Sequence, residues 1–281
     1  MTGSDRERLR ATFTEDAELY DRARPGYPPE MFDDLAGMVG LGPGCRVLEI
    51  GCGTGKATVP IARRGAWIVA VELGPEMAAV ARRHLAGHED VHVLEAVFED
   101  WPLPPEPFDV VLAATAFHWI DPAVRVEKAA AALRPGGALA TVATHHVAGG
   151  TERFFAEVQN CYEHFDPKTP PNLRLQAAHD IAEDDEEIAR SGRFDKAVFL
   201  RYEWELPYTS AEYLDVLRTY SGHRALEPAA RRGLLRCIES LIDHDYGGAI
   251  TKRYLTELRV ARRRSEASGG RPGAGRPHGG G

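Results

Sequence analysis

Short apolar runs alternate with helix-like stretches through the first half of the chain. The runs are continuously apolar, which is typical of strands buried on both faces of a parallel sheet. They predict strands at residues 46–50, 67–71, 91–94, 109–114 and 138–144, separated by helices at 56–64, 75–86 and 122–133. Because parallel strands are joined by right-handed crossovers, this alternation predicts an α/β fold with a doubly wound sheet.

The pattern changes after Gly150. Residues 151–192 favour helices, with a proline-rich break at DPKTPP, and the acidic segment EDDEE at 183–187 is interpreted as the solvated first turn of a helix. A strand is predicted at 197–206, two helices between Ser210 and Tyr246, and a last strand at 249–261 after a Gly-Gly turn. The Gly- and Pro-rich residues 265–281 are expected to be disordered.

Composition and charge narrow the function classes. A formal net charge of -8 argues against nucleic acid as a partner, because duplex readers carry a basic surface. No apolar run reaches the ~18 residues of a membrane span, so no membrane partner is expected. The four cysteines lack CxxC spacing, so we expect neither a zinc site nor a disulfide framework. We therefore expect a cytoplasmic location.

The segment GCGTGKAT lies between the first predicted strand and a helix. Backbone N–H groups are unpaired at such a junction, and Gly51, Gly53 and Gly55 let a ligand approach closely. A Walker phosphate loop is excluded, because its first glycine and its hydroxyl residue after the lysine are missing. The dinucleotide motif GxGxxG is weakened by Lys56 in place of the third glycine, which leaves a nicotinamide oxidoreductase as a minor alternative.

Two carboxylates flank the glycine loop. Glu49 can interact with the ammonium group of S-adenosylmethionine (SAM), whereas it would repel a pyrophosphate. Glu72 ends the second strand and is placed to accept hydrogen bonds from both ribose hydroxyls. The alternative for Glu72 is an ordinary surface carboxylate. Together the two residues favour SAM as the ligand.

At this point the chain resembles the class I SAM-dependent methyltransferases, in the small-molecule branch that includes trans-aconitate methyltransferase-type enzymes. The resemblance covers residues 13–147 and rests on VLEIGCGTGKAT, VAVELGPEM, FDVVLAATAFHWID and LRPGG; the ending GAITKRYLTELRVARR is similar to the last strand of that family. It implies a mostly parallel, seven-stranded, Rossmann-like sheet with helical lid insertions.

The resemblance also implies a domain organisation. Residues 1–40 would form helices that cover the cofactor, 41–150 the SAM-binding core, and 151–196 a helical substrate lid. Residues 197–264 would complete the sheet with inserted helices. In the segment AELYDRARPGYP, Tyr20 and Arg24 would face the SAM carboxylate; the alternative is that both residues only cap and pack helices.

One position departs from the family pattern. Where many relatives have GDAED, with an acid that binds the adenine amino group, this chain has AVFED, with Val97. Adenine is expected to contact the Phe98 and Glu99 backbone instead. The full set of cofactor residues implied by the resemblance is Tyr20, Arg24, Glu49, Gly51, Cys52, Gly53, Gly55, Glu72, Leu73, Met77, Phe98, Glu99, Thr115, Ala116 and Phe117.

The end of the fourth strand points to the acceptor. The [DN]PP[YF] motif of base or glutamine methyltransferases is replaced by AFHW, and no cluster of acidic metal ligands is found. The sequence therefore predicts a metal-independent transfer of methyl to a small molecule, with O-methylation of a carboxylate or hydroxyl favoured. A SAM-binding regulatory protein without catalysis is the alternative. His118, Trp119 and His145 are the candidate substrate contacts.

His118, in the segment TAFHWID, has three open interpretations. It positions the cofactor or substrate, acts as general base, or only packs. Trp119 is expected to form part of the floor, and Asp121 to be the N-cap of the next helix. The lid segments supply apolar surface for a pocket, although most of these side chains are expected to pack the lid itself: Phe154, Phe155, Tyr162, Phe165, Tyr208, Tyr213 and Tyr220.

Overall fold

Seven strands form a single sheet in a computed structural model that describes residues 16–265. The strands are β1 (Arg46–Ile50), β2 (Trp67–Glu72), β3 (Val91–Glu95), β4 (Phe108–Ala114), β5 (Leu133–His146), β6 (Val198–Thr209) and β7 (Ala249–Arg262), in the order β3-β2-β1-β4-β5-β7-β6. Strands β1 to β5 pair in parallel, and β7 is antiparallel to both of its neighbours. The predicted doubly wound, mostly parallel sheet is confirmed.

Helices cover the sheet, and the described ones are α1 (Ala17–Ala23), α2 (Pro29–Val39), α3 (Thr58–Ala62), α4 (Pro75–His84), α5 (Arg125–Ala132), α6 (Glu152–Glu157), α7 (Gln159–Phe165), α8 (Glu186–Ser191), α9 (Ser210–Arg218), α10 (Ser221–Arg224) and α11 (Pro228–Asp245). Short 3-10 turns lie at Phe117–Trp119 and Ala178–Asp180. Residues 1–15 and 266–281, and with them nearly all of the predicted tail, lie outside the described part.

Strands β1, β2 and β4 are buried as their continuous apolar sequence predicts, whereas β3, also predicted to be buried, lies at the sheet edge and is partly exposed. Val47 and Leu48 of β1 and Val111 of β4 have no solvent exposure. Each such side chain contributes about 1.5–3 kcal/mol when removed from water. In this order β2 and β4 flank β1, so the sheet reverses its direction of winding between β1 and β4. Ligands bind in the crevice at that point in doubly wound folds.

Helices α6, α7, α9 and α11 build a second apolar core with strands β6 and β7. Phe154, Leu217 and Ile238 are among its fully buried members. Cys161 of α7 and Cys237 of α11 form a disulfide in this core, with a sequence separation of 76. The expectation that the cysteines form no disulfide was wrong, since the fold brings together two cysteines whose wide spacing resembles no motif.

Several predicted boundaries also need correction. The helix predicted at 56–64 begins at Thr58, because the preceding residues are used by the glycine turn. Strand β5 extends to His146, so both histidines lie within the strand. The region 210–246 holds three helices rather than two, and 151–192 is helical only at α6, α7 and α8 apart from one 3-10 turn.

Two predictions about helix starts differ in outcome. Asp121 is not an N-cap: its carboxylate accepts a hydrogen bond from the Ala123 N–H at 3.0 Å and closes a turn, and α5 begins later, with Val124 in the N-cap position. The acidic segment does begin a helix, α8. Glu187, in its first turn, is not merely solvated, because it forms an ion pair with Arg125.

Candidate active site

A cavity of about 520 Å³ opens at the carboxyl ends of β1, β2, β4 and β5. This volume lies within the range of small-molecule sites. The cavity wall contains most of the residues singled out from the sequence: Tyr20, Arg24, Glu49, Gly51, Cys52, Gly53, Glu72, Leu73, Met77, Phe98, Thr115, Ala116, His118 and Trp119.

The glycine loop forms one wall by virtue of its backbone. Gly51 has φ +68°, a conformation that L side chains rarely adopt, and a Cβ placed there would lie 2.7 Å from the Cβ of Ala116. The absence of a side chain at position 51 therefore leaves a concave surface between Gly51, at the end of β1, and Ala116, after β4. We call this surface the Gly51 cradle.

Glu72 fixes the loop from the neighbouring strand. Its two carboxylate oxygens accept hydrogen bonds from the Gly53 N–H and the Gly74 N–H, both at 2.8 Å. A carboxylate has about four acceptor positions and can accept from hydroxyl groups as well as from backbone N–H groups. Leu73 and Met77 stand beside it on the same wall and offer an apolar surface.

Glu49 lies at the inner end of the cavity, with only 1% of its surface exposed. Burial raises the pKa of its carboxyl group to about 7; the Thr58 hydroxyl opposes this shift and the charge of Glu72 adds to it. Neither carboxylate oxygen has a hydrogen-bond partner of normal geometry among residues 16–265. Buried polar atoms are normally paired, so this carboxylate is suited to a ligand that brings donors.

The N-terminal segment closes the opposite side. The Arg24 guanidinium lies 4.2 Å from the ring centre of Tyr220 and 5.2 Å from that of Tyr20. One of its terminal nitrogens donates to the Thr219 carbonyl at 3.3 Å, whereas its buried Nε has no hydrogen-bond partner in the described structure. Arg24 thus presents an available donor to an anionic group.

Thr115, at the end of β4, has φ +54°, which is unusual for a β-branched residue. Its hydroxyl lies 3.0 Å from the Tyr27 hydroxyl, and its N–H donates to the Val142 carbonyl at 2.8 Å. Backbone strain of this kind costs of order 1–3 kcal/mol and is concentrated at functional sites. Here it turns the chain from β4 into the 3-10 turn that carries His118.

His118 and Trp119 both line the cavity, and their ring centres lie 4.8 Å apart. The imidazole of His118 is reachable by solvent at the mouth. Desolvation by the surrounding protein and the nearby charge of Arg125 lower its pKa, so it is neutral at pH 7. A neutral imidazole can accept a proton, but a lowered pKa makes it a weak base.

Four predicted contacts do not line the cavity. Gly55 packs on α4, where a Cβ would lie 3.6 Å from the Ala81 Cα. Glu99 is turned away: its carboxylate accepts from the Asp121 N–H at 3.2 Å and its carbonyl from Lys128 at 2.8 Å.

The other two are Phe117 and His145. Phe117 is buried in the apolar core below the cavity floor. His145 points to the other face of β5, towards Glu257 and Arg201, because successive side chains of a strand alternate between faces. Thr144 and His146, its neighbours along the strand, are the residues that line the cavity.

Other cavity residues did not enter the predicted set. Among them are Tyr27, Lys56, Thr144, His146, Ser221, Tyr254 and Tyr220, the last of which was named only as part of the apolar lid surface. Tyr27 lies in the same N-terminal segment as Tyr20 and Arg24, so the sequence could have identified it as a cavity residue. His146 could have been chosen over His145 only with the exact end of β5. Tyr220 and Tyr254 come from the distant lid and last strand, and no local pattern marks them.

The arrangement fits SAM. A zwitterionic amino acid matches the Glu49 carboxyl group and the Arg24 guanidinium, which both line the cavity with Gly51 and both have buried atoms without a hydrogen-bond partner in the described structure. Glu72 matches a ribose, and Leu73 and Met77 offer an apolar surface for the adenine base. Ala96 and Phe98 extend this apolar surface and bring no carboxylate to it. Within residues 16–265 there is no group of three or more His, Cys, Asp or Glu side chains that could hold a metal ion. No described helix is both long and apolar enough to cross a bilayer.

Sequence comparison connects the cavity with known proteins. A family described as a methyltransferase domain matches residues 47–137. An uncharacterized methyltransferase of Mycobacterium tuberculosis is 40% identical over 142 residues, which are 50% of this chain and 55% of the relative. A ubiquinone biosynthesis O-methyltransferase of Xylella fastidiosa is 37% identical over 99 residues, 34% of this chain and 40% of that enzyme. The chain thus spans about half the length of the curated relatives that it matches.

Structural comparison gives the same fold. The solved structure of a protein from Anaeromyxobacter dehalogenans that is named as a type II methyltransferase has a TM-score of 0.57 at 24% identity. The match covers 86% of this chain and 97% of that one. A Haemonchus contortus phosphoethanolamine N-methyltransferase, solved with S-adenosylhomocysteine, has a TM-score of 0.53 at 19% identity, covering 94% and 61%. Residues 47–137 thus match a methyltransferase domain, and the whole sheet has the fold of solved methyltransferases.

Proposed function

We propose that this protein binds SAM and transfers its methyl group, without a metal ion, to an oxygen atom of a small molecule. The observation that carries the proposal is the continuity of the cavity. One end holds Glu49, Glu72 and the Gly51 cradle, and the other end is lined by His146 and Tyr220 together with Thr144, Ser221 and Tyr254. Donor and acceptor would therefore share one enclosed space.

SAM, when bound, supplies an electrophilic methyl group on a sulfonium. The protein has to hold the acceptor in line with that methyl group and keep water out, which is where most of the rate gain arises. Glu72, Glu49 and Arg24 fix the two polar ends of the cofactor. Tyr20 and Tyr27 of the N-terminal segment and Tyr220 of the lid cover the cavity.

A small-molecule acceptor is supported by the cavity and by charge. Its size matches that of small-ligand sites, and the net charge of -8 is unfavourable for nucleic acid. Transfer to oxygen is supported by the O-methyltransferase among the relatives. For His118 we propose a positioning role at the cavity mouth, because its lowered pKa suits a neutral contact better than a base.

The test has two steps. Calorimetry should show that S-adenosylhomocysteine binds and NADPH does not. SAM carrying a labelled methyl group is then incubated with the protein and a metabolite extract, and labelled product should form together with S-adenosylhomocysteine. Binding without any product would instead indicate a regulatory SAM-binding protein, and binding of NADPH alone would indicate an oxidoreductase.

The cytoplasmic location remains a prediction, and the Cys161–Cys237 disulfide argues against it. Such bonds persist in oxidising compartments and are rare in the cytosol. Trapping free thiols with an alkylating reagent at the moment of cell lysis decides between the two. Alkylation of Cys161 and Cys237 would support the cytoplasm, and protection of both would contradict it.

A further inference from the structure

A chain of hydrogen bonds leads from the acceptor end of the cavity into the protein. The Tyr220 hydroxyl lies 3.1 Å from His146 Nε2, and His146 Nδ1 lies 3.4 Å from the Nζ atom of Lys252. Tyr220 and His146 line the cavity, whereas Lys252 lies behind them with 3% of its surface exposed. Three titratable side chains thus form a series that begins at the cavity and ends at the buried amine of Lys252.

Lys252 lies in an aromatic cage. Its amino group is 5.5–5.8 Å from the ring centres of Phe155, Tyr213, Tyr220 and Tyr254. It makes no ion pair with a carboxylate in the described part of the chain, and the charge that acts on it most is that of Arg24. A buried lysine without a counter-ion is unusual, because a desolvated ammonium is costly.

The three protonation states suit proton transfer. Burial, together with the Lys252 and Arg24 charges and the neighbouring histidines, lowers the pKa of His146 to about 2, so its ring is neutral. Burial raises the pKa of Tyr220 to about 12, so it keeps its proton. Burial and the Arg24 charge lower the pKa of Lys252 to about 7, so its amine is readily neutral near that pH.

We infer that Tyr220, His146 and Lys252 form a relay that takes a proton from the acceptor, and that the acceptor is consequently a hydroxyl compound, an alcohol or a phenol. This inference rests on the methyl transfer proposed above. Tyr220 is the residue that would contact the acceptor hydroxyl. His146 passes the proton on, and Lys252 acts through His146 as the final proton acceptor.

The step balances in atoms and charge. The acceptor O–H bond breaks and its proton moves to the Tyr220 oxygen, while the Tyr220 proton moves to His146 Nε2 and the His146 Nδ1 proton to Lys252. The acceptor oxygen uses the released electron pair to form the new O–CH3 bond, and the pair of the broken S–CH3 bond returns to sulfur. A neutral acceptor and a sulfonium become a methyl ether, a thioether and a lysine ammonium.

Other acceptor classes either do not need the relay or are disfavoured by the charges beside it. A carboxylic acid, with an ordinary pKa near ~4, is already ionised at neutral pH and needs no proton acceptor. An ammonium group would be repelled by Arg24 and, when charged, Lys252. A phenol or alcohol needs a base, and a nearby positive charge lowers the pKa of its hydroxyl.

The relay predicts a pH dependence. Lys252 must be neutral, so kcat should rise as pH rises through about 7 and then level off. The titratable groups that face Lys252 from the packed elements are Arg24, His146, Tyr213, Tyr220, His223 and Tyr254. His223, with its pKa lowered to about 4 by burial and by the Lys252 and Arg24 charges, and the tyrosines, with raised pKa values, titrate elsewhere.

Product chemistry tests the acceptor class. Labelled product formed from SAM and a metabolite extract is separated from unreacted SAM, which is itself a cation, then treated with mild alkali and passed over a cation exchanger. We expect the label to stay in a non-volatile, unretained product, as a methyl ether does. Release as methanol would reveal a methyl ester, and retention on the exchanger would reveal an N-methyl product; either result overturns the inference while leaving methyl transfer intact.

Variants test the relay. Tyr220→Phe, His146→Leu and Lys252→Met should lower kcat at least about 100-fold, as expected when a general base is lost, with the Kd of S-adenosylhomocysteine changed less than about threefold. The residual rate of Lys252→Met should no longer rise through pH 7. His145→Gln, in the same strand but on the other face, and the exposed Lys196→Met are the matched controls and should behave as wild type. Relay variants with a wild-type rate and pH profile would overturn the relay.

A stability measurement gives a readout without turnover. The folded pKa of Lys252, about 7, lies below its ordinary 10.5, so the unfolded chain binds more protons between these values and stability rises with pH across this window. Lys252→Met removes this dependence. Its Tm should exceed that of wild type by the largest margin near pH 7, and the margin should shrink towards pH 10. A margin that is constant across this range would contradict the assigned proton acceptor.

Discussion

The two ends of the cavity are built in different ways. At the cofactor end, backbone geometry does most of the positioning: Gly51 has a left-handed φ, and Glu72 holds the loop through two N–H groups. At the acceptor end, side chains from separate segments meet: His146 of β5, Tyr220 after α9 and Lys252 of β7. Contiguous sequence thus encodes the cofactor end, whereas tertiary packing assembles the acceptor end.

The difference implies that the two functions can be damaged separately. Changes at the glycine loop should weaken cofactor binding, because the ligand lies against the backbone there. Changes at the lid that keep the Tyr220 ring against Arg24 should reduce turnover with little effect on the cofactor. The predictions below use this separation, starting with the largest expected effect.

Gly51→Ala should abolish detectable cofactor binding, with a loss of at least about 100-fold in affinity for S-adenosylhomocysteine. The added Cβ would need a φ of +68° and would lie 2.7 Å from the Ala116 Cβ, so the cradle cannot form without backbone movement. Calorimetry measures the loss. Gly37→Ala is the control, since its site in α2 has no atom within 4 Å of a new Cβ. Normal binding by Gly51→Ala would show that the cradle is not used.

The disulfide should stabilise the lid without affecting the cofactor. Replacing both Cys161 and Cys237 with serine should cost about 2–4 kcal/mol of unfolding free energy, because the bond closes a loop with a sequence separation of 76. Denaturant titration with and without dithiothreitol measures the difference. The double variant should be insensitive to the reductant, and its affinity for S-adenosylhomocysteine should match that of wild type. A large loss of that affinity would contradict the separation of the two ends.

Glu72→Gln should weaken S-adenosylhomocysteine binding by about tenfold, or about 1.4 kcal/mol, the scale of a hydrogen bond to a charged group. Glu72 accepts hydrogen bonds from the N–H groups of Gly53 and Gly74, one on each oxygen. A Gln side chain has one oxygen and one NH2 group, so its NH2 donor would face one of these N–H donors and that hydrogen bond would be lost. Glu76→Gln, exposed in the first turn of α4, is the matched control. If both variants bind equally well, Glu72 has no special place in the site.

His118→Ala should have the smallest effect. Loss of a ring contact worth about 0.5–1.5 kcal/mol should reduce SAM affinity and turnover together, by roughly two- to tenfold. Such parallel losses are expected of a positioning residue. Kinetics under saturating and limiting SAM separate the two quantities. A much larger loss of turnover than of affinity would make His118 the general base and would displace the relay.

The sequence predicted the cofactor end because its information is local. A buried strand, a glycine turn and a carboxylate at the next strand end lie within residues 46–72, and the structure places Glu49, Gly51 and Glu72 around one cavity. The predicted set includes four residues that the cavity does not use. Glu99 and Phe117 were assigned by motif, and their backbone groups are engaged by Lys128 and Arg125.

The acceptor end could not be predicted in the same way. His145 and His146 differ only in the face of β5 to which they point, and a shift of one residue decides this. Tyr220 and Lys252 are brought to His146 across 74 and 106 residues of sequence. Their meeting depends on β7 lying between β5 and β6, which no local pattern determines.

The most direct test compares Glu72→Gln with Tyr220→Phe in one experiment. For each variant, the Kd of S-adenosylhomocysteine and the single-turnover rate at saturating SAM are measured with the same acceptor fraction. We predict a weaker Kd with a near-normal rate for Glu72→Gln, and a normal Kd with a rate at least about 100-fold lower for Tyr220→Phe. If both variants lose affinity and rate in the same proportion, the division between a cofactor end and a proton-removing acceptor end is wrong.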